Sequence, residues 1–284
     1  MWHSHRTINC KGRLLSLHRP VVMGILNVTP DSFYDGGRHF SREAALDRAF
    51  RLWEEGASIL DVGGMSSRPG AETVPIAEEI RRVIPVVAAI SDHIPTAIIS
   101  VDTVHPDVAR EAIQAGASII NDISAGSMAQ GMYETVAELN VPYVLMHMKG
   151  TPKTMQREAD YENVVEVVLD FLLTEVGKLK SLGIKDIIID PGFGFGKTIA
   201  HNFQLLQNLH IFQVLPYPVL AGISRKSMIY RTLEIGPEDA LNGATALHMV
   251  ALQQGASILR VHDVREAVQT IKLWEALHNS EKLP

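Results

Sequence analysis

The sequence predicts one α/β domain, an eight-stranded parallel (β/α)8 barrel of the TIM type with its active site at the C-terminal ends of the strands. Three observations lead there. A cassette recurs as Gly56-Ala57-Ser58-Ile59-Leu60-Asp61, Gly116-Ala117-Ser118-Ile119-Ile120-Asn121 and Gly255-Ala256-Ser257-Ile258-Leu259-Arg260, with a looser copy over residues 183–190. In each copy a helical pattern stops at the glycine, which suits the left-handed conformation past a helix C-terminus, and a short β-branched run follows. These apolar runs are continuous, as strands covered on both faces require, and they alternate with helices that carry one apolar stripe. Eight such strands occur along 284 residues with no linker and no shift in composition, enough to close a barrel. A doubly wound open sheet is the alternative architecture.

In chain order, residues 1–20 are an N-terminal segment, residues 21–278 the barrel and residues 279–284 a C-terminal tail. Strands are expected over residues 21–27, 57–63, 96–102, 118–123, 141–147, 185–190, 219–222 and 257–262. Leu46, Ala49, Phe50 and Trp53 stand at i, i+3, i+4 and i+7, as do Val165, Val168, Leu169 and Leu172, and Val264, Ala267, Val268 and Ile271. Pro106 suits a first helical turn.

Composition excludes several classes. With 46% apolar and 20% charged residues the chain is neither disordered, collagenous nor disulfide-stapled. A formal charge of −6 supplies no field for a polyanion, so no nucleic-acid partner is expected. Apolar runs such as residues 83–90, interrupted by Pro85, fall short of the roughly 20 residues a bilayer needs, and no membrane association is expected. Cys10 stands alone, which fits a reducing compartment and points to the cytoplasm.

Side chains alternate across a strand, so positions five and seven after the cassette glycine share a face. Asp61 and Asn121 stand at plus five, Asp190 at plus seven, and Arg260 and His262 take both positions of the last strand. Asn27 and Asp102 end the first and third strands, where a barrel keeps its active site. Buried charges need partners, so a mouth carrying Asp61, Asp102, Asp190, Arg260 and Lys226 is either one mutual ion-pair network or a ligand site. The segments beginning Asn27-Val28-Thr29-Pro30-Asp31 and Gly63-Gly64-Met65-Ser66-Ser67-Arg68-Pro69-Gly70 are polar, long and rich in Gly and Pro, as lids are and as solvated turns also are. Asp190-Pro191-Gly192-Phe193-Gly194-Phe195-Gly196-Lys197 lacks the glycine spacing of a nucleotide loop, yet its backbone can pass close to a flat ligand flanked by Phe193 and Phe195. Ser224-Arg225-Lys226-Ser227 opens a helix, which is an anion site or a plain cap. His147 reads as a satisfied interior histidine, and no zinc site is expected.

Together with Ile120-Asn121-Asp122, Met146-His147-Met148 and Arg260-Val261-His262-Asp263, these motifs stand in the order and spacing of a known family. From about Val21 to Leu273 the chain resembles the bacterial dihydropteroate synthases, a family of pterin-binding barrels. The resemblance implies that hydroxymethyl-dihydropterin pyrophosphate and para-aminobenzoate are joined to give dihydropteroate and pyrophosphate. By similarity Asp102, Asn121, Asp190 and Lys226 bond the edge of the pterin, while Met146, Phe195 and the Arg260 guanidinium cover its faces. Asn27, Arg68, Arg260 and His262 take the pyrophosphate, with Mg²⁺ held by Asn27. Para-aminobenzoate rests on Ser67, Pro69 and Phe195, its carboxylate at Ser227 and near Lys226. Asp61 and Asp31 stabilise positive charge or order the two loops. The family implies catalytic roles for Asp61, Asp102, Asp190, Lys226 and Arg260, and a homodimer. Ser67 replaces the family's usual Thr, so the hydroxyl survives and a methyl that packs near para-aminobenzoate and its sulfonamide mimics is lost. The rival readings are a pterin-binding methyltransferase using methyltetrahydrofolate, a lyase with a Schiff base on Lys226 or Lys197, and a noncatalytic pterin-binding protein.

Overall fold

All four cassette glycines end their helices as the sequence predicts, with φ of 105° at Gly56, 122° at Gly116, 82° at Gly183 and 93° at Gly255. In each copy the glycine N–H bonds back three residues and the next N–H five residues back, as Gly56 to Trp53 and Ala57 to Leu52 do. The residue after the glycine is therefore still closing the helix. That is why the strands begin later than the apolar run does, at Ile59, Ile119, Ile187 and Ile258.

The computed structural model describes residues 7–29, 34–35, 39–40, 42–65, 74–155 and 157–278. All eight expected strands are present: β3 (Val21–Asn27), β6 (Ile59–Gly63), β7 (Ile98–Asp102), β8 (Ile119–Asp122), β9 (Tyr143–Met146), β10 (Ile187–Asp190), β11 (Leu220–Ala221) and β12 (Ile258–Val261). They pair in parallel in the order β10-β9-β8-β7-β6-β3-β12-β11. A parallel bridge between Ile189 and Val219, with the Ile189 N–H on the Pro218 carbonyl at 3.0 Å, joins the two edges, so the sheet is a closed barrel and not an open one.

Helices α1 (Arg42–Glu54), α2 (Ile76–His93), α3 (Pro106–Gln114), α4 (Met132–Leu139), α5 (Val164–Ser181), α6 (Ile199–Gln207), α7 (Ser227–Tyr230), α8 (Leu241–Gln253) and α9 (Val264–His278) follow the strands. Pro106 opens α3, and Val165, Val168 and Leu172 of α5 and Val264, Ala267 and Ile271 of α9 are buried. The stripe of α1 is rotated from its expected place. Ala45, Ala49 and Leu52 are buried while Trp53 is 40% exposed, because the small alanines let the helix lie close on the barrel. Among the described residues no helix is long and apolar enough to cross a membrane.

The period-two pattern sorts the strand residues into two cores. One parity, including Leu60, Val62, Ile99, Val101, Leu145 and Leu259, packs outward against the helices. The other parity supplies one apolar residue per strand to the base of the interior: Met23, Ile59, Ile98, Ile119, Val144, Ile188, Leu220 and Ile258. A hairpin that sequence reading left unassigned completes this layer. Strands β1 (Thr7–Cys10) and β2 (Arg13–Ser16) turn at Lys11-Gly12, both at positive φ, and add Ile8, Cys10, Leu15 and Leu17 to the plug. Lys11 and Arg13 tether the hairpin to backbone carbonyls of Ile113, Pro95 and Ala97. Within the first long polar loop, β4 (Tyr34–Asp35) pairs antiparallel with β5 (His39–Phe40).

Ile188 is fully buried in this plug. Ile188→Ala is expected to lower unfolding free energy by about 2–5 kcal/mol, read as a drop in the urea midpoint with unchanged slope.

Candidate active site

Two residues beyond the basal plug, on the same side of each strand, the interior becomes polar: Asp61, Ser100, Asn121, Asp190 and Arg260, joined by Ile25 and Met146. Two residues further on stand Asn27, Asp102 and His262. The residues predicted from parity therefore line one space. Register places Asp61 beside Ser100, Asp102 beside Asn121 and Asp190 beside Met146.

Arg260 crosses this space. Its Nε donates to Asp61 Oδ2 at 2.7 Å and its Nη2 to Asp102 Oδ2 at 2.6 Å, while Asn121 Nδ2 donates to the same Asp61 oxygen at 3.0 Å. Burial works against the Arg260 charge, but Asp61 and Asp102 outweigh it and hold the guanidinium charged. Burial, opposed by Arg260 and reinforced by Asp61, pushes Asp102 up to about 7. Asp61 is fully buried behind these partners, and its Oδ1 has no hydrogen bond among the described residues.

The network is incomplete in a useful way. Asp190 spends Oδ1 on the Gly192 N–H at 2.7 Å, and burial, opposed chiefly by Lys226, pushes its carboxyl up. Among the described residues, Asp102 Oδ1, Asp190 Oδ2 and Asn121 Oδ1 make no hydrogen bond. The alternatives of an ion-pair network and a ligand site thus coexist: Arg260 fixes the floor, and acceptors on β7, β8 and β10 are left for a flat group with several adjacent donors.

Lys226 stands on the Asp190 side of these acceptors. It follows the short strand β11 and precedes α7, and its Nζ donates to the Phe193 carbonyl and lies 4.7 Å from the centroid of the Phe195 ring. Burial, opposed by Asp190, pulls its ammonium down to about 8. The helix expected at Ser227 is a single turn, Ser227–Tyr230, so this corner offers the Lys226 charge and the Ser227 hydroxyl rather than an extended helix dipole. Ser224 Oγ lies 3.1 Å from His262 Nδ1 and accepts the His262 N–H, while Arg225 is paired with Asp263 on the outside.

The glycine-rich segment after β10 comes close to its neighbours. Gly192 has φ of 74°, and a Cβ there would fall 1.9 Å from the His147 carbonyl oxygen. His147 is buried against Lys197, as expected of a satisfied interior histidine. Ser67, Arg68, Pro69 and Asp31 lie outside the described residues.

Sequence reading missed an apolar wall. Val104, Ile123, Met146, Met155 and Phe195 form a buried cluster at the mouth, with Met65, Met128 and Met148 against it. The methionines come from the end of β9 and from the loops after β6, β8 and β9, and only the Met146-His147-Met148 pair was a visible signal. Polarisable thioethers beside an aromatic ring make an adaptable surface for a planar ring.

Residues 23–262 match the family described as pterin binding enzyme. Dihydropteroate synthase of Escherichia coli (strain K12) is 47% identical over 268 residues, 94% of this chain and 94% of that one. The solved dihydropteroate synthase of Xanthomonas albilineans with 4-aminobenzoic acid aligns at a TM-score of 0.89 and 46% identity, covering 98% of this chain and 99% of that one. The enzyme of the same organism in complex with 7,8-dihydropteroate aligns at 0.85 and 44% identity, covering 98% and 100%.

Replacing Arg260 by Met leaves two buried carboxylates without their cation. Arg260→Met is expected to cost about 3–5 kcal/mol at about pH 8, and the deficit is expected to shrink toward about pH 5, because Asp102, already pushed up by burial, takes a proton there. Urea denaturation of both proteins at the two pH values measures it.

Proposed function

We infer that this chain, which belongs to the family of pterin-binding enzymes, acts as a dihydropteroate synthase. It joins hydroxymethyl-dihydropterin pyrophosphate to para-aminobenzoate, releasing pyrophosphate and giving dihydropteroate, as a transferase of a non-methyl alkyl group in folate synthesis. The observation that carries this reading is the set of acceptors on Asp102, Asn121 and Asp190 facing Lys226, over a floor fixed by Arg260.

The guanidine-like edge of a pterin presents adjacent N–H groups, and Asp102 and Asp190 are positioned to accept them in plane with Asn121. Lys226 donates to the opposite, carbonyl-bearing edge, and Met146, Phe195 and the Arg260 plane cover the ring faces. Asp61 acts through Arg260 and Asn121, holding both in orientation. The pyrophosphate is assigned to Asn27, Arg68, His262 and Arg260, and para-aminobenzoate to Ser67, Pro69, Phe195, Lys226 and Ser227, the last two taking its carboxylate.

In the reaction the C–O bond to pyrophosphate breaks with its electron pair leaving on oxygen. The methylene cation is delocalised into the pterin, and the aryl amine lone pair forms the new C–N bond before the amine loses a proton. Asp102 and Asp190 stabilise the growing positive charge on the ring, and Arg260 and His262 stabilise the departing anion.

Among the described residues no cluster of three acidic, His or Cys side chains could enclose a metal ion. The donor set fits a hard cation that takes most ligands from phosphate and water, and the Asn27 side-chain oxygen would hold such a Mg²⁺. When bound, Mg²⁺ supplies charge neutralisation on the pyrophosphate. A homodimer in the cytoplasm is the proposed working form. The exposed Leu273 and Leu277, one turn apart on α9, are apolar surface that a second copy would cover.

Pyrophosphate release should require both substrates, whereas a methyltransferase would release none. Lys226→Ala is expected to lower kcat/KM by about tenfold or more with the protein still folded, and near-normal turnover would remove Lys226 from the site. Activity needs Asp102 ionised and Lys226 protonated. The pH profile of kcat/KM is therefore expected to be bell-shaped, falling below about 7 and above about 8, and Lys226→Arg is expected to lose the alkaline limb.

A further inference from the structure

Lys197 is 2% exposed, its amine is enclosed by groups that carry no formal charge, and burial pulls it well below its ordinary value. Nζ lies 2.9 Å from His147 Nδ1, 2.9 Å from the Gly192 carbonyl, 3.0 Å from the Phe195 carbonyl and 3.3 Å from the His147 carbonyl. Four acceptors surround the Lys197 nitrogen, so none of its N–H groups remains for a substrate. Burial, with Lys197 beside it, pulls the His147 ring down to about 2, so the imidazole is neutral and presents Nδ1 as an acceptor. The same enclosure removes Lys197 as a Schiff-base nucleophile.

The acceptors belong to two segments that carry site residues. His147 follows Met146 at the tip of β9, and Gly192 and Phe195 belong to the loop after β10 that begins at Asp190. That loop offers the Phe193 carbonyl and the Phe195 ring to Lys226, and its Gly192 N–H to Asp190. From the far side Asn202 of α6 holds it, accepting the Gly194 N–H at 2.6 Å and donating to the Thr198 carbonyl at 2.7 Å. A buried polar group costs more to desolvate than an apolar side chain of the same length, and replacing it by an apolar residue is often neutral for stability. An amine at this place is explained by the hydrogen bonds it makes to the two loops.

We propose that Lys197 is a positioning residue for the condensation, tying the β9 and β10 tips together so that Phe195 and the Phe193 carbonyl hold Lys226 against the pterin and para-aminobenzoate. This rests on the functional reading above, and wild-type pyrophosphate release tests that reading by itself. Lys197→Met is expected to keep its fold by circular dichroism and to lose about tenfold or more in kcat/KM. The loss is expected to fall below about threefold in a Phe195→Ala background and to persist in an Asn121→Ala background, as coupling through one loop requires. A purely structural role would give the same loss in both backgrounds and would overturn the proposal, as would undiminished turnover of Lys197→Met in an active wild type. If Lys197→Met does not fold, His147→Leu and His147→Asn replace it. Asn restores an acceptor near the Nδ1 position, so recovery of most of the loss by Asn supports the tie, and equal rates in the two overturn it. A crystal structure of Lys197→Met, or of His147→Leu, decides the matter without turnover: displacement of Phe195 from Lys226 with the Asp61–Arg260–Asp102 contacts intact supports the proposal, and an unmoved loop refutes it.

Discussion

A closed parallel barrel admits only every second residue of each strand to its interior, and this constraint governs what the molecule can do. The interior has two ends with different solvent access. At the base, eight apolar strand residues and four more from the N-terminal hairpin exclude water. Toward the mouth the same parity delivers Asp61, Asn121, Asp190 and Arg260, then Asn27, Asp102 and His262. The plug matters to the chemistry because it leaves the polar ring one open direction. Charges held over a dry floor act on a ligand with little screening.

Arg260 is the counterweight that makes this ring tolerable. Three carboxylates reach the interior within a few strands of one another, and two of them share its guanidinium. Its planar fork suits this task better than an ammonium, since Nε and Nη2 point to different acceptors at fixed angles. The pairing consumes only part of the hydrogen-bonding capacity of the carboxylates, so neutralising charge and leaving acceptors for a ligand are compatible. The lysines divide the remaining labour. Lys226 faces the ring with its charge softened by burial, whereas Lys197 is turned inward on backbone carbonyls and a neutral histidine.

Legibility differed from one element to the next for physical reasons. The four cassette glycines announced their turns because few other residues accept positive φ at a helix end, and the strands after them read correctly apart from the residue that still closes the helix. Trp53 misled because periodicity marks a face without saying how closely the helix can approach, and the small Ala45 and Ala49 let it approach on a neighbouring face that buries Leu52. The N-terminal hairpin escaped because its four-residue strands carry at most two inward apolar residues and gain their burial from a plug assembled from eight distant segments. The helix opening at Ser227 was legible, but its single-turn length was not, because a start signal does not encode length.

Local sequence alone determined which residues lie on the inner face and at which end of each strand, since both follow from a two-residue period counted from a glycine. It also carried enough ordered motif to mark the family. Only the tertiary structure decided how those residues divide their hydrogen bonds. Asp61 disappears behind Arg260 and Asn121, Lys197 closes on His147 and the loop carbonyls, and methionines from three loops and the tip of β9 gather into one wall. Such choices depend on distances between residues as far apart as 61 and 260, which no local pattern encodes, because they are set by the closure of the barrel itself.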